Sequence, residues 1–152
     1  MLRKERKERV MSRLEQCMTP ALELEAASDI RLLQWLDGVG RHPNTLIVCP
    51  DDAVASVLRQ VRKRSAPPVR YRLIPGALPL PSRTSGTLVL NDVSRLTLEQ
   101  QIMVFDWMNA VGRNVQVISL TRRCPLAQVQ EGAFLEGLLY RLNVVRLELK
   151  AA

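Results

Sequence analysis

Two adjacent carboxylates, Asp51 and Asp52, follow the run Thr45-Leu46-Ile47-Val48-Cys49 and the single residue Pro50. In a parallel α/β protein, a buried strand that turns into a helix is a natural phosphate site, because free backbone N–H groups and the helix dipole converge there. A loop built for that purpose needs glycines to let the backbone wrap the phosphates, followed by a Lys and a Ser or Thr. The stretch Pro50-Asp51-Asp52-Ala53-Val54-Ala55-Ser56 contains neither glycine nor lysine. Its carboxylates would occupy the N–H groups themselves and repel a polyphosphate. Pro50, Asp51 and Asp52 therefore read as a capped helix start, and no cofactor is expected there. A second polar pair, Asn91 and Asp92, ends the run Thr87-Leu88-Val89-Leu90. It reads as the cap of the turn into the next helix.

Other groups capable of chemistry are few. Cys17, Cys49 and Cys124 are odd in number and far apart. That suggests neither a disulfide framework nor a metal site, and they read as buried free thiols. The single histidine, His42, lies between Arg41 and Pro43, and reads as a loop residue rather than a catalytic base. Net charge is +7, from 22 Lys and Arg against 15 Asp and Glu. This favours an anionic partner without choosing among nucleic acid, nucleotide and acidic protein. Six cations crowd the N-terminal stretch, but Glu5 and Glu8 interleave with them and aromatic content is only 4%. A solvated or partner-docking helix is therefore preferred to a nucleic-acid reader. No apolar run approaches the length of a membrane span, and the basic start lacks the apolar stretch of a secretory signal. A soluble, cytoplasmic chain is expected.

The elements that must position these residues follow from periodicity. Residues 2–24 carry Val10, Leu14, Cys17 and Met18 at helical spacing, with Thr19-Pro20 as an interruption. A second helix is expected over 30–36, with Ser28 and Asp29 as cap candidates. Short apolar runs at 45–49, 69–74, 87–90, 115–119 and 144–149 read as buried strands. Between them lie a helix after Pro50, a Pro- and Gly-containing loop over 75–85, a helix over 97–108 and a mainly helical stretch over 126–139. Alternating strands and helices imply a three-layer α/β sandwich on a five-stranded parallel sheet. Residues 1–40 are read as N-terminal helices and 41–150 as the α/β core.

The segment Gly86-Thr87-Leu88-Val89-Leu90-Asn91-Asp92 resembles the Walker B strand of sigma-54-dependent transcriptional activators. The resemblance continues through the helix 96–107, the sensor-like strand Val115-Gln116-Val117-Ile118-Ser119, Phe134, and Tyr140-Arg141-Leu142-Asn143-Val144. It spans roughly residues 86–149. It implies an AAA+ (P-loop NTPase-like) core with strand order 5-1-4-3-2, from a bacterial family that couples ATP hydrolysis in a ring to remodelling of sigma-54 polymerase.

Several positions depart from what that family uses. Asn91 stands for the magnesium-linked Asp and Asp92 for the catalytic Glu; Asn brings no charge to a hard cation, and Asp is one methylene shorter. Arg141 matches one of two arginine fingers, whereas Leu135 stands for the other. The stretch before residue 86 offers only Gly76-Ala77-Leu78 toward the loop that touches sigma-54, and a helical lid is not expected after Leu149. The resemblance thus implies a pseudo-ATPase: a non-catalytic, transcription-related module without metal or nucleotide. Its partner would be a protein, itself or another AAA+ activator, bound around Phe134, Leu138, Arg141 and Asn143. The alternatives are a nucleic-acid-associated protein using its basic helices and a weak ATP binder; no membrane partner is expected.

Overall fold

The computed structural model describes residues 3–5, 8, 21–26, 29–37, 43–73, 80–81 and 85–150. One parallel sheet organises the chain, with strands β1 (Leu22–Leu24), β2 (Thr45–Val48), β3 (Val69–Leu73), β4 (Gly86–Asn91), β5 (Val115–Thr121) and β6 (Val145–Leu149) in the order β1-β6-β2-β5-β4-β3. Among the described residues six strands replace the expected five, and the order differs from 5-1-4-3-2 by the strand added outside β6. That strand lies in a stretch expected to be helical. Leu22-Glu23-Leu24 alternates apolar and polar residues, buries Leu24 completely, and pairs Leu22, Glu23 and Leu24 with Leu147, Glu148 and Leu149. Residues 3–5 and 8 are helical, while Cys17, Ser28 and His42 lie outside the described residues.

Period-two alternation sends successive strand residues to opposite faces. Leu46, Leu88, Leu90 and Val117 face helices α3 (Leu98–Val111), α4 (Leu126–Gln130) and α5 (Glu136–Leu142). Ile47, Val89, Ile118, Leu120 and Leu147 face α1 (Ile30–Asp37) and α2 (Val54–Arg64). Leu88, Val89 and Leu90 are all 0% exposed, which is why these strands read as unbroken apolar runs. The sheet and its first helix layer therefore extend N-terminal of residue 41, through Leu24, Leu32 and Leu36.

Local signals account for most boundaries. Thr97 and Gln100 form a reciprocal capping box at the start of α3, each side chain bonding the other's backbone N–H at 3.1 Å. Asp29 accepts from the backbone N–H of Arg31 at 2.9 Å and so caps α1. The stretch 126–139, expected to be mainly helical, is two short helices instead. Gly132 turns between them with a positive φ, a region open to glycine at no steric cost. The N–H groups of Ala133 and Phe134 both bond to the Gln128 carbonyl. Gly86 also enters β4 with a positive φ, and the Pro68 carbonyl oxygen lies 2.3 Å from where a Cβ would stand. Only glycine fits there.

Candidate functional site

At the carboxyl ends of β2, β4 and β5 the structure gathers the residues singled out by their chemistry. Cys49 continues β2, 1% exposed, with its N–H on the Thr121 carbonyl at 3.0 Å. Pro50 opens a 3-10 turn, Asp51–Ala53, which runs directly into α2. Neither Asp51 nor Asp52 makes a side-chain capping bond, which corrects the expectation that a carboxylate would take up the free N–H groups. Asp51 is ion-paired instead with Arg122, just beyond β5. The helix dipole still favours both negative charges at this end.

Asn91 ends β4, and its side-chain oxygen is buried without a hydrogen-bond partner. Asp92 adopts the left-handed conformation, a region that Asp and Asn tolerate better than most residues. Its carboxylate accepts from the Ser94 hydroxyl at 2.9 Å and its N–H bonds to the Leu120 carbonyl at 2.9 Å. Asp92 thus stands at the start of the strand-to-helix turn but bonds a side chain there rather than a backbone N–H. Asn91 has no capping bond. The Thr121 hydroxyl is taken by the Arg123 carbonyl at 2.6 Å.

Beside this cluster lies an open cavity of about 310 Å³, bordered by Glu23, Cys49, Pro50, Arg122, Glu148 and Lys150. Glu23 and Glu148 are register partners, so two like charges face each other across β1 and β6. Lys150 offsets them, with its Nζ 3.8 Å from Glu23 and 3.2 Å from Glu25. Burial pushes the Cys49 thiol up to about 11; Arg122 opposes that rise, and Asp51, Asp52 and Asp92 add to it. A thiol so held is protonated at neutral pH and is a poor nucleophile. Among the described residues no group of three His, Cys, Asp or Glu side chains is arranged to hold a metal.

The second region is the face where α3 meets α5. Phe134, Leu138 and Asn143 are 3%, 0% and 7% exposed, so they support this face from within and do not present side chains to a partner. Arg141 is exposed. Its guanidinium carbon lies 5.8 Å from the centre of the Phe105 ring, within reach of a cation–π contact. On α3, Leu98, Ile102 and Met103 remain 48%, 51% and 45% exposed. Beneath them Gln101, fully buried, donates to the carbonyls of Leu96 at 3.1 Å and Ala133 at 3.0 Å and accepts from Leu135 N–H at 2.8 Å. Gln101 was not legible as a structural residue, because its partners lie up to 34 residues away. Arg122 was legible only as part of a strand end. A lone glutamine at a core position of the α3 pattern is the one signal that could have pointed to the first.

Comparison with known proteins agrees with this geometry. Residues 79–148 match the family model of the sigma-54 interaction domain. NtrX from Brucella abortus, solved with ADP, superposes with a TM-score of 0.63 at 21% identity, over 80% of this chain and 35% of that one. The P-loop NTPase domain of the sigma-54 transport activator from E. coli superposes with a TM-score of 0.51 at 18% identity, over 78% of this chain and 98% of that one. The chain thus spans about a third of the length of NtrX. No curated protein sequence matches it. Among the described residues no helix is long and apolar enough to cross a membrane. Over residues 79–148 the chain thus resembles the sigma-54 interaction domain in sequence, and its parallel α/β fold is similar to that of NtrX and of the P-loop NTPase domain of the E. coli activator.

Proposed function

We propose that this chain is a non-catalytic interaction module of the sigma-54 activator type, which engages a protein partner and does not hydrolyse ATP. One observation carries the reading: the ion pair between Asp51 and Arg122 spans the ends of β2 and β5, where a nucleotide-binding relative needs a glycine-rich loop and a lysine. NtrX from Brucella abortus was solved with ADP. Here the corresponding strand end offers Pro50-Asp51-Asp52, a carboxylate pair that repels polyphosphate, and Asn91 in place of a charged magnesium anchor. The partner-facing surface is α3 with the end of α5: Leu98, Ile102 and Met103 supply apolar contact and Arg141 a cation. The family pattern supports a transcription-related role, with a second copy or another AAA+ activator as the proposed partner.

Titration calorimetry with ATP and magnesium tests the reading. No saturable heat is expected up to millimolar nucleotide, and no phosphate release on prolonged incubation. Micromolar affinity that Arg122→Ala or Asp51→Ala alters would place nucleotide at this strand end and refute the proposal.

A further inference from the structure

Net charge is not spread over this chain. Residues 53–91 hold seven Arg and Lys and no Asp or Glu, whereas residues 1–52 hold eight against nine and residues 92–152 seven against six. The whole surplus of +7 is thus the charge of the segment that builds α2, β3 and β4. Helix α2 buries Val54, Val57 and Val61 and sets Arg59, Arg62 and Lys63 on the opposite, exposed side, at spacings of three and four residues that make them neighbours. Beyond the helix the chain enters β3, the outer edge of the sheet, where Arg70 and Arg72 are half-buried; their register partners Leu88 and Leu90 face α3–α5, so these two cations lie on the other side of the sheet from α2. Among the described residues Arg59, Arg62, Lys63 and Arg70 take part in no ion pair.

We infer that the exposed face of α2 is a docking surface for the phosphate backbone of nucleic acid. Like charges one helical turn apart repel, so their clustering without a single carboxylate is a cost that a polyanion removes. Cations on an edge strand also discourage sheet extension, which accounts for Arg70 and Arg72 but not for three cations on a helix. The chemistry of the patch separates nucleic acid from an acidic protein. Protein interfaces are centred on apolar anchors, whereas nucleic-acid interfaces are polar and strongly positive. Among the described residues the exposed large apolar side chains are Leu22, Ile30, Leu98, Ile102, Met103 and Val144, and none lies on α2. The same lack of an apolar anchor disfavours a membrane surface. Binding is therefore independent of sequence. This inference does not rest on the ATP-free reading, since the patch lies apart from the carboxyl ends of the strands.

Three phosphate contacts, from Arg59, Arg62 and Lys63, give a slope of log affinity against log salt of about −2.7, an affinity loss of about 40-fold between about 50 and 200 mM salt. Fluorescence anisotropy of the full chain with a labelled random-sequence DNA duplex measures both. The triple variant R59Q/R62Q/K63Q, checked for a native melting curve, is expected to reduce the slope to near zero. R3Q/K4Q, in the stretch where carboxylates interleave with the cations, is expected to leave the slope at the wild-type value. The inference is overturned by any of four results: no binding at low salt, an unchanged slope in the triple variant, an equal effect of R3Q/K4Q, or displacement of DNA by polyglutamate at equal charge. The last would assign the patch to an acidic protein.

Discussion

Replacing Gln101 by Leu should cost the fold about 3 kcal/mol, although the two side chains have similar volume and Leu leaves no cavity. The amide is 0% exposed and every group it bonds is backbone: the carbonyls of Leu96 and Ala133 and the N–H of Leu135. Leu would strand the Leu135 N–H in an apolar setting, at about 1–3 kcal/mol, and remove one donor contact from each carbonyl. The carbonyls suffer less, since each has a second lone pair, and the greater apolarity of Leu recovers part of the loss. Because total stability is only about 5–15 kcal/mol, the change would be large. Urea unfolding followed by circular dichroism reads it directly. With a slope near about 1.5 kcal/mol/M, the midpoint should fall by about 2 M. A loss below about 0.5 kcal/mol would mean that water or a relaxed loop satisfies these groups, and the argument that Gln101 is needed to satisfy them would fail.

Two further predictions concern the surface and the acid limb. Arg141→Ala should lower stability by only about 0.5 kcal/mol, the scale of an exposed cation–π contact, yet weaken self-association or binding to an AAA+ partner in sedimentation velocity; unchanged assembly would make Arg141 an ordinary surface residue. The Asp29 carboxyl is held well below the usual carboxylate range, first by the Arg31 side chain and then by the backbone N–H groups of Glu25 and Arg31. A depressed folded-state value means that its stabilisation is present above about pH 4 and lost as pH falls below that. Asp29→Asn should flatten this part of the acid dependence in melts between about pH 2 and 6, and an identical dependence in both proteins would count against the cap.

What the sequence reveals depends on how far a residue's partners lie. Strands β2, β4 and β5 are legible because burial on both faces forces a continuous apolar run, and the capping box of α3 because its two members are three residues apart. β1 was illegible for the opposite reason. Leu22-Glu23-Leu24 is too short to show a period, and what makes it a strand is the free edge of β6, more than a hundred residues away. The candidate site divides along the same line. That Pro50-Asp51-Asp52 cannot cradle phosphate is a local fact, set by residue type. That Asp51 meets Arg122 across 71 residues is a fact of topology, produced by the pairing of β2 with β5. The interaction residues make the point most sharply: Phe134, Leu138, Arg141 and Asn143 lie on one short stretch, but the fold buries three of them and exposes Arg141. A motif records what a family keeps together, whether for packing or for contact. Only the direction in which each side chain leaves the helix separates the two, and by that criterion the contact surface moves from the motif itself to Arg141 and the neighbouring exposed side chains of α3.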